Sequence, residues 1–110
     1  MELMTKELRN LFKKYPVGSQ VGKTDPVVIA KYFDPTGAAS WWVTEFDGKD
    51  HLFGYATLGF GPECDEWGYM SLNELQTTKG RVGLGMERDL HCGTPKPISE
   101  FPGCSYNSKR

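Results

Sequence analysis

The 110-residue chain has no long apolar run, no surplus of either charge and too few cysteines for a disulfide framework. The most apolar stretch, Leu52 to Phe60, is interrupted by two glycines and is far short of the 18 or so residues that span a bilayer. The opening Met1-Glu2-Leu3-Met4-Thr5-Lys6 turns polar at once and lacks a signal-peptide apolar core, so a cytoplasmic protein with no membrane partner is expected. Thirteen Lys+Arg against 14 Asp+Glu exclude a domain that holds nucleic acid by bulk charge alone. Three cysteines, an odd number, point to free thiols in a reducing compartment.

Aromatics are abundant, at 13%, and this argues against disorder. At this length one core forms without a metal or disulfides, so residues 1–110 read as a single domain. Leu8, Leu11, Phe12 and Tyr15 recur at helical spacing, predicting an amphipathic helix over 5–15 with Thr5 as N-cap and Pro16 and Gly18 ending it. Strands are predicted near 27–33, 40–46, 51–58, 67–70 and 86–91 from β-branched and aromatic runs. Asp47-Gly48 between the second and third makes them a hairpin, since Gly supplies the positive φ of a tight reversal. Ser71 with Glu74 three residues on has capping-box spacing and predicts a short helix over 72–78. The fold class is therefore α+β: a mainly antiparallel sheet of four to five strands, an N-terminal amphipathic helix and a second short helix.

The candidate chemistries are thin. Gly18-Ser19-Gln20-Val21-Gly22-Lys23-Thr24 is one residue short of a phosphate loop and has a helix before it and a strand after it, the reverse of what that loop needs. Asp47, Asp50, Glu63, Asp65, Glu66 and His51 could supply a metal-dependent enzyme, but the spacing lacks the alternating oxygen ligands of a calcium loop. Cys64, Cys92, Cys104, His51 and His91 lack the short paired spacing of zinc sites, and His91 beside Cys92 would point to the opposite face of a strand. No catalytic residue, metal ligand set or cofactor follows from these patterns.

Aromatic alternation is more informative. It places Trp42, Thr44 and Phe46 on one face of their strand and Trp41, Val43 and Glu45 on the other, with Phe53 and Tyr55 alternating against Leu52, Gly54, Ala56 and Leu58. Large apolar groups on both faces mean either that the helices and the C-terminal segment cover both sides or that one aromatic face is open. An open face at Trp41, Phe53, Tyr55 and Trp67 would dock a protein partner or a second copy. Residues 45–74 carry Glu45, Asp47, Asp50, Glu63, Asp65, Glu66 and Glu74 against Lys49 alone, an acidic side that would repel phosphate. The alternative reading, nucleic-acid binding, would use Lys6, Arg9, Lys13, Lys14 and Lys23 on the first helix and its exit loop.

The runs Trp42-Val43-Thr44-Glu45-Phe46-Asp47-Gly48, Phe53-Gly54, Gly68-Tyr69-Met70-Ser71-Leu72-Asn73-Glu74-Leu75 and Glu87-Arg88-Asp89-Leu90, in that order, resemble a small bacterial family catalogued as domain of unknown function 2958. The resemblance covers roughly Met4 to Phe101 and carries no assigned activity. It implies a bacterial accessory protein tied to plasmids and integrative elements. The expectation is a non-enzymatic interaction protein.

Overall fold

A computed structural model of the chain describes residues 2–59, 65–78 and 85–101. Helix α1 runs over Lys6–Phe12, and Thr5 caps it, its Oγ1 accepting the Leu8 N–H at 3.1 Å. The helix is shorter than the predicted 5–15 because the next three amides tighten to bonds three residues back, ending with Tyr15 N–H to Phe12 O at 2.8 Å. Pro16 causes this, since the residue before a proline is pushed out of the α region.

The predicted strand 27–33 divides at Ile29. β1 (Val27–Val28) pairs with β7 (Lys96–Pro97) in a separate two-stranded sheet, while β2 (Ala30–Phe33) joins the main one. The main sheet also holds β3 (Ser40–Phe46), β4 (His51–Thr57), β5 (Glu66–Ser71) and β6 (Glu87–Arg88), in the order β5-β4-β3-β2-β6 with every pair antiparallel. β6 is two residues where 86–91 was expected; beyond it the Asp89 carboxylate accepts the His91 N–H at 2.9 Å and turns the chain. Helix α2 (Leu72–Thr77) starts as its capping box predicts, Ser71 Oγ accepting the Glu74 N–H at 3.1 Å.

One irregularity sets the two faces of the sheet. Between Val43 and Glu45 the β3–β4 register shifts, so Thr44 is a bulge with no opposite residue. Strict alternation, which placed Phe46 with Trp42, is thereby corrected. Phe46 lies on the Val43 face, and Glu45 crosses to the other side, opposite Phe53. Gly54 is the complement of this bulge: a Cβ there would stand 2.1 Å from Trp42 O and 2.8 Å from Val43 Cα.

The bulge is held by the loop that follows α1. Gln20, fully buried, donates from Nε2 to Val27 O and Thr44 O, both at 2.9 Å, and accepts the Val27 N–H at 2.7 Å. Its carboxamide thus imitates a peptide unit between β1 and β3. Beside it the Gly18 N–H donates to Glu45 Oε1 at 2.6 Å, and Thr44 Oγ1 donates to Glu45 Oε2 at 3.0 Å.

Two cores result. On the Val43 face, α1, α2 and the N-terminal Leu3 and Met4 pack on Ala30, Tyr32, Phe46 and Leu52; burial of a side chain such as Phe12 contributes about 2–3 kcal/mol. The Tyr32 hydroxyl, its pKa pushed up by burial, donates to Leu3 O at 2.7 Å and ties the N-terminal segment to the sheet. On the Trp42 face, Val28, Trp42 and Tyr55 pack against Ile98 and Phe101. The helices therefore cover one side and the C-terminal segment part of the other.

Candidate interaction surface

β4 and β5 pair over six consecutive residues without a bulge, and this regularity aligns a row of rings on the Trp42 face. Tyr55 stands opposite Trp67, and Phe53 opposite Tyr69. Phe53 and Trp67 stack at 6.1 Å with an interplanar angle of 11°, Phe53 and Tyr69 meet edge to face at 5.0 Å, and Tyr55 and Trp67 at 5.4 Å. Such pairs contribute about 0.5–1.5 kcal/mol each beyond their buried area.

The four residues expected to meet a partner are not placed together. Phe53 and Trp67 lie half-buried in the row, but Tyr55 is 1% exposed and sits beneath it, between Trp42 and Trp67. Trp41 is on the opposite face, paired with Ala56 and packed on the helix-covered core. The residue that sequence reasoning missed is Tyr69, 65% exposed on the edge strand. Its signal was present: two positions after Trp67 in a strand, it shares that residue's face. At the same edge Trp41, Ala56, Glu66, Gly68, Tyr69 and Met70 line a depression of about 100 Å³.

The basic residues form a different surface. Lys6, Arg9 and Lys13 are exposed and follow one another at helical spacing, Lys14 is in the turn beyond them, and Lys23 is exposed in the loop before β1. Arg9 is committed: Nη1 donates to Gly48 O at 3.0 Å, and the guanidinium lies 5.4 Å above the Phe46 ring. With Lys13, Pro16 and Asp47 it borders a cleft of about 300 Å³. A carboxylate thus faces any phosphate brought to these cations. The Lys49 amide, with those of Asp50 and His51 and the His51 ring, holds the Asp47 carboxyl down to about 2. The Ser71 hydroxyl and the Asn73 amide likewise hold Asp50 below the usual carboxylate range.

The acids do not converge. Asp47 Oδ1 accepts the amides of Lys49, Asp50 and His51 and closes the hairpin, and Asp50 takes the Ser71 hydroxyl at 2.7 Å and the Asn73 N–H at 2.7 Å. Glu66 lies at the far end of the β4–β5 pair from Asp50, and Glu63 lies outside the described residues. Among the described residues no three His, Cys, Asp or Glu side chains are grouped to hold an ion. Cys92 is half-buried with its thiol 3.6 Å from Asp89 O and His91 is exposed, while Cys64 and Cys104 lie outside the described residues. The Gly18–Thr24 segment spends its first amide on Glu45. Among the described residues no helix is long and apolar enough to cross a membrane.

A family model described as "Protein of unknown function (DUF2958)" matches residues 3–108. The chain belongs to this family. The matched DUF2958 span contains the whole of both cores, the ring row on β4 and β5, and the basic stripe of α1. No curated protein and no solved structure matches the chain.

Proposed function

We propose that the protein is a non-enzymatic interaction module that binds a protein partner through the outer end of the β4–β5 pair. The observation that carries this reading is Tyr69, a large aromatic 65% exposed in an edge strand and supported from below by Phe53. Exposed aromatics on a rigid sheet are the residue type that anchors protein interfaces, because they bring much contact area at little cost in side-chain entropy. The basic stripe of α1 supports nucleic-acid binding less well, since Arg9 is held by Gly48 and Asp47 stands beside it. The resemblance to DUF2958 proteins directs the search for a partner to bacterial host and mobile-element factors in the cytoplasm.

The test is site-specific photocrosslinking in the native bacterial lysate, with p-benzoylphenylalanine at position 69 and, as control, at the exposed position 21. A protein captured from position 69 and not from position 21, and lost from an affinity pull-down by Tyr69→Ala, is the expected result. A partner retained at full yield by Tyr69→Ala refutes the assignment. Nucleic acid recovered instead, and released by salt, would transfer it to α1.

A further inference from the structure

We infer that β5 accepts a basic, extended segment of the partner protein as a sixth strand of the main sheet. The inference rests on the interaction reading above and adds the chemistry of the partner.

In an antiparallel ladder residues alternate between turning their N–H and C=O toward the neighbouring strand and turning them away. Leu72 N–H donates to Asp50 O at 2.8 Å, in register with the His51–Ser71 pair, so even-numbered residues of β5 face β4 and odd-numbered residues face outward. Tyr69, in the middle of the strand, therefore directs both of its peptide groups away from the sheet. Among the described residues no strand pairs with β5 on that side. The edge also lacks the usual obstacles to strand addition: β5 reads Glu66-Trp67-Gly68-Tyr69-Met70-Ser71, with no proline, no lysine and no bulge against β4. The outward peptide groups of Tyr69 are of the kind another strand satisfies, and this selects an extended partner.

Charge selects its sign. Residues 65–78 contain Asp65, Glu66 and Glu74 and no lysine or arginine. Asp65 stands immediately before β5 and Glu66 is its first residue, so two of these acids sit at the start of the edge strand. A second copy of this chain would bring Asp65 and Glu66 against the same acidic edge, which argues for a foreign basic strand. Alternate side chains of that strand would meet Tyr69 on one face and the depression over Gly68 and Met70 on the other.

The test uses three synthetic peptides of about ten residues: alternating valine and lysine, the same with glutamate for lysine, and the lysine form with proline at alternate positions. The lysine peptide is expected to bind at least about tenfold tighter than the other two. It should also slow hydrogen exchange of the Tyr69 amide, which a contact through the ring alone would not do. Glu66→Lys with Glu74→Lys should weaken it by about tenfold without altering the fold, both side chains being exposed. Equal binding of the lysine and glutamate peptides, or an unchanged Tyr69 amide, overturns the inference. So does a dimer in sedimentation whose Tyr69 amide is already protected, since a second copy then occupies the edge. If the crosslinked partner is lost by Tyr69→Ala but kept by the charge reversal, the interaction reading survives and the basic-strand inference alone fails. If neither variant loses it, both fail.

Discussion

Replacement of Gln20 tests whether a single side chain holds the bulge in β3. Its carboxamide makes three hydrogen bonds of 2.7–2.9 Å to the backbone of Val27 and Thr44, and it is fully buried. Gln20→Ala strands one N–H and two carbonyl groups, and an unpartnered buried polar group costs about 1–3 kcal/mol. The Val27 groups are nearer solvent than Thr44 O, so their cost is at the low end and the sum is about 3 kcal/mol. For a domain of this size that lowers the thermal midpoint by roughly 10–15 °C, readable by circular dichroism, and urea titration gives the free energy directly.

Gln20→Glu sharpens the test because shape is kept while the donor becomes an anion facing two carbonyl oxygens. At neutral pH it should destabilise at least as much as alanine. Burial and the two carbonyls raise the folded-state pKa of the new carboxyl above the ordinary value of about 4.3, so the native state binds more protons than the unfolded state. The variant should therefore gain stability relative to the natural chain as pH falls from about 7 to 5, when the protonated carboxyl can donate one bond. A loss under about 1 kcal/mol for Gln20→Ala, or a Gln20→Glu variant insensitive to pH in that window, would refute the account of the bulge.

Asp47 predicts the opposite pH dependence. Its pKa of about 2 is below the unfolded value, so its contribution is complete above pH 5 and is lost as pH falls toward 2; solvent screening keeps it under about 1 kcal/mol. Asp47→Asn should flatten this part of the urea-midpoint profile between pH 5 and 3. The two glycines of the β4–β5 pair separate close approach from open space. Gly54→Ala drives a Cβ into Trp42 O and should cost about 3 kcal/mol or more, whereas Gly68→Ala, with no atom within 4 Å of the new carbon, should stay within about 0.5 kcal/mol by urea denaturation.

Local chemistry was legible wherever the determinant lies within a few residues. Thr5, Asp47-Gly48 and Ser71 with Glu74 mark a helix start, a reversal and a second helix start, and each makes the bond its residue type suggests. The α+β class follows from those signals. The bulge at Thr44 does not, because its partners, Gln20 and Gly54, are 24 and 10 positions away and nothing in the β3 run itself breaks alternation. The surface was obscured for a different reason. Trp41 and Trp42 are adjacent aromatics of equal weight in the sequence, yet the pleat sends them to different cores, and Tyr55 is hidden because Ile98 and Phe101 return to that face from the end of the chain. Tyr69 differs: its place beside Trp67 was readable, but its exposure depends on β5 being an edge strand, a property of strand order.

The parting of β1 from β2 at Ile29 has a mechanical consequence. Val28 is anchored in one core and Ile29 in the other, and the Ile29 N–H is fastened to Val43 O at 2.8 Å between them. The peptide unit joining these residues works as a rivet through the plane of the sheet, with its heads on opposite sides. A one-residue slip in either direction would pull both heads at once, so the two sheets cannot be re-registered separately. The covering strand Lys96–Pro97 is indexed through β1 to the same point, and the position of the C-terminal segment over Trp42 is therefore set by a residue almost seventy places earlier in the chain.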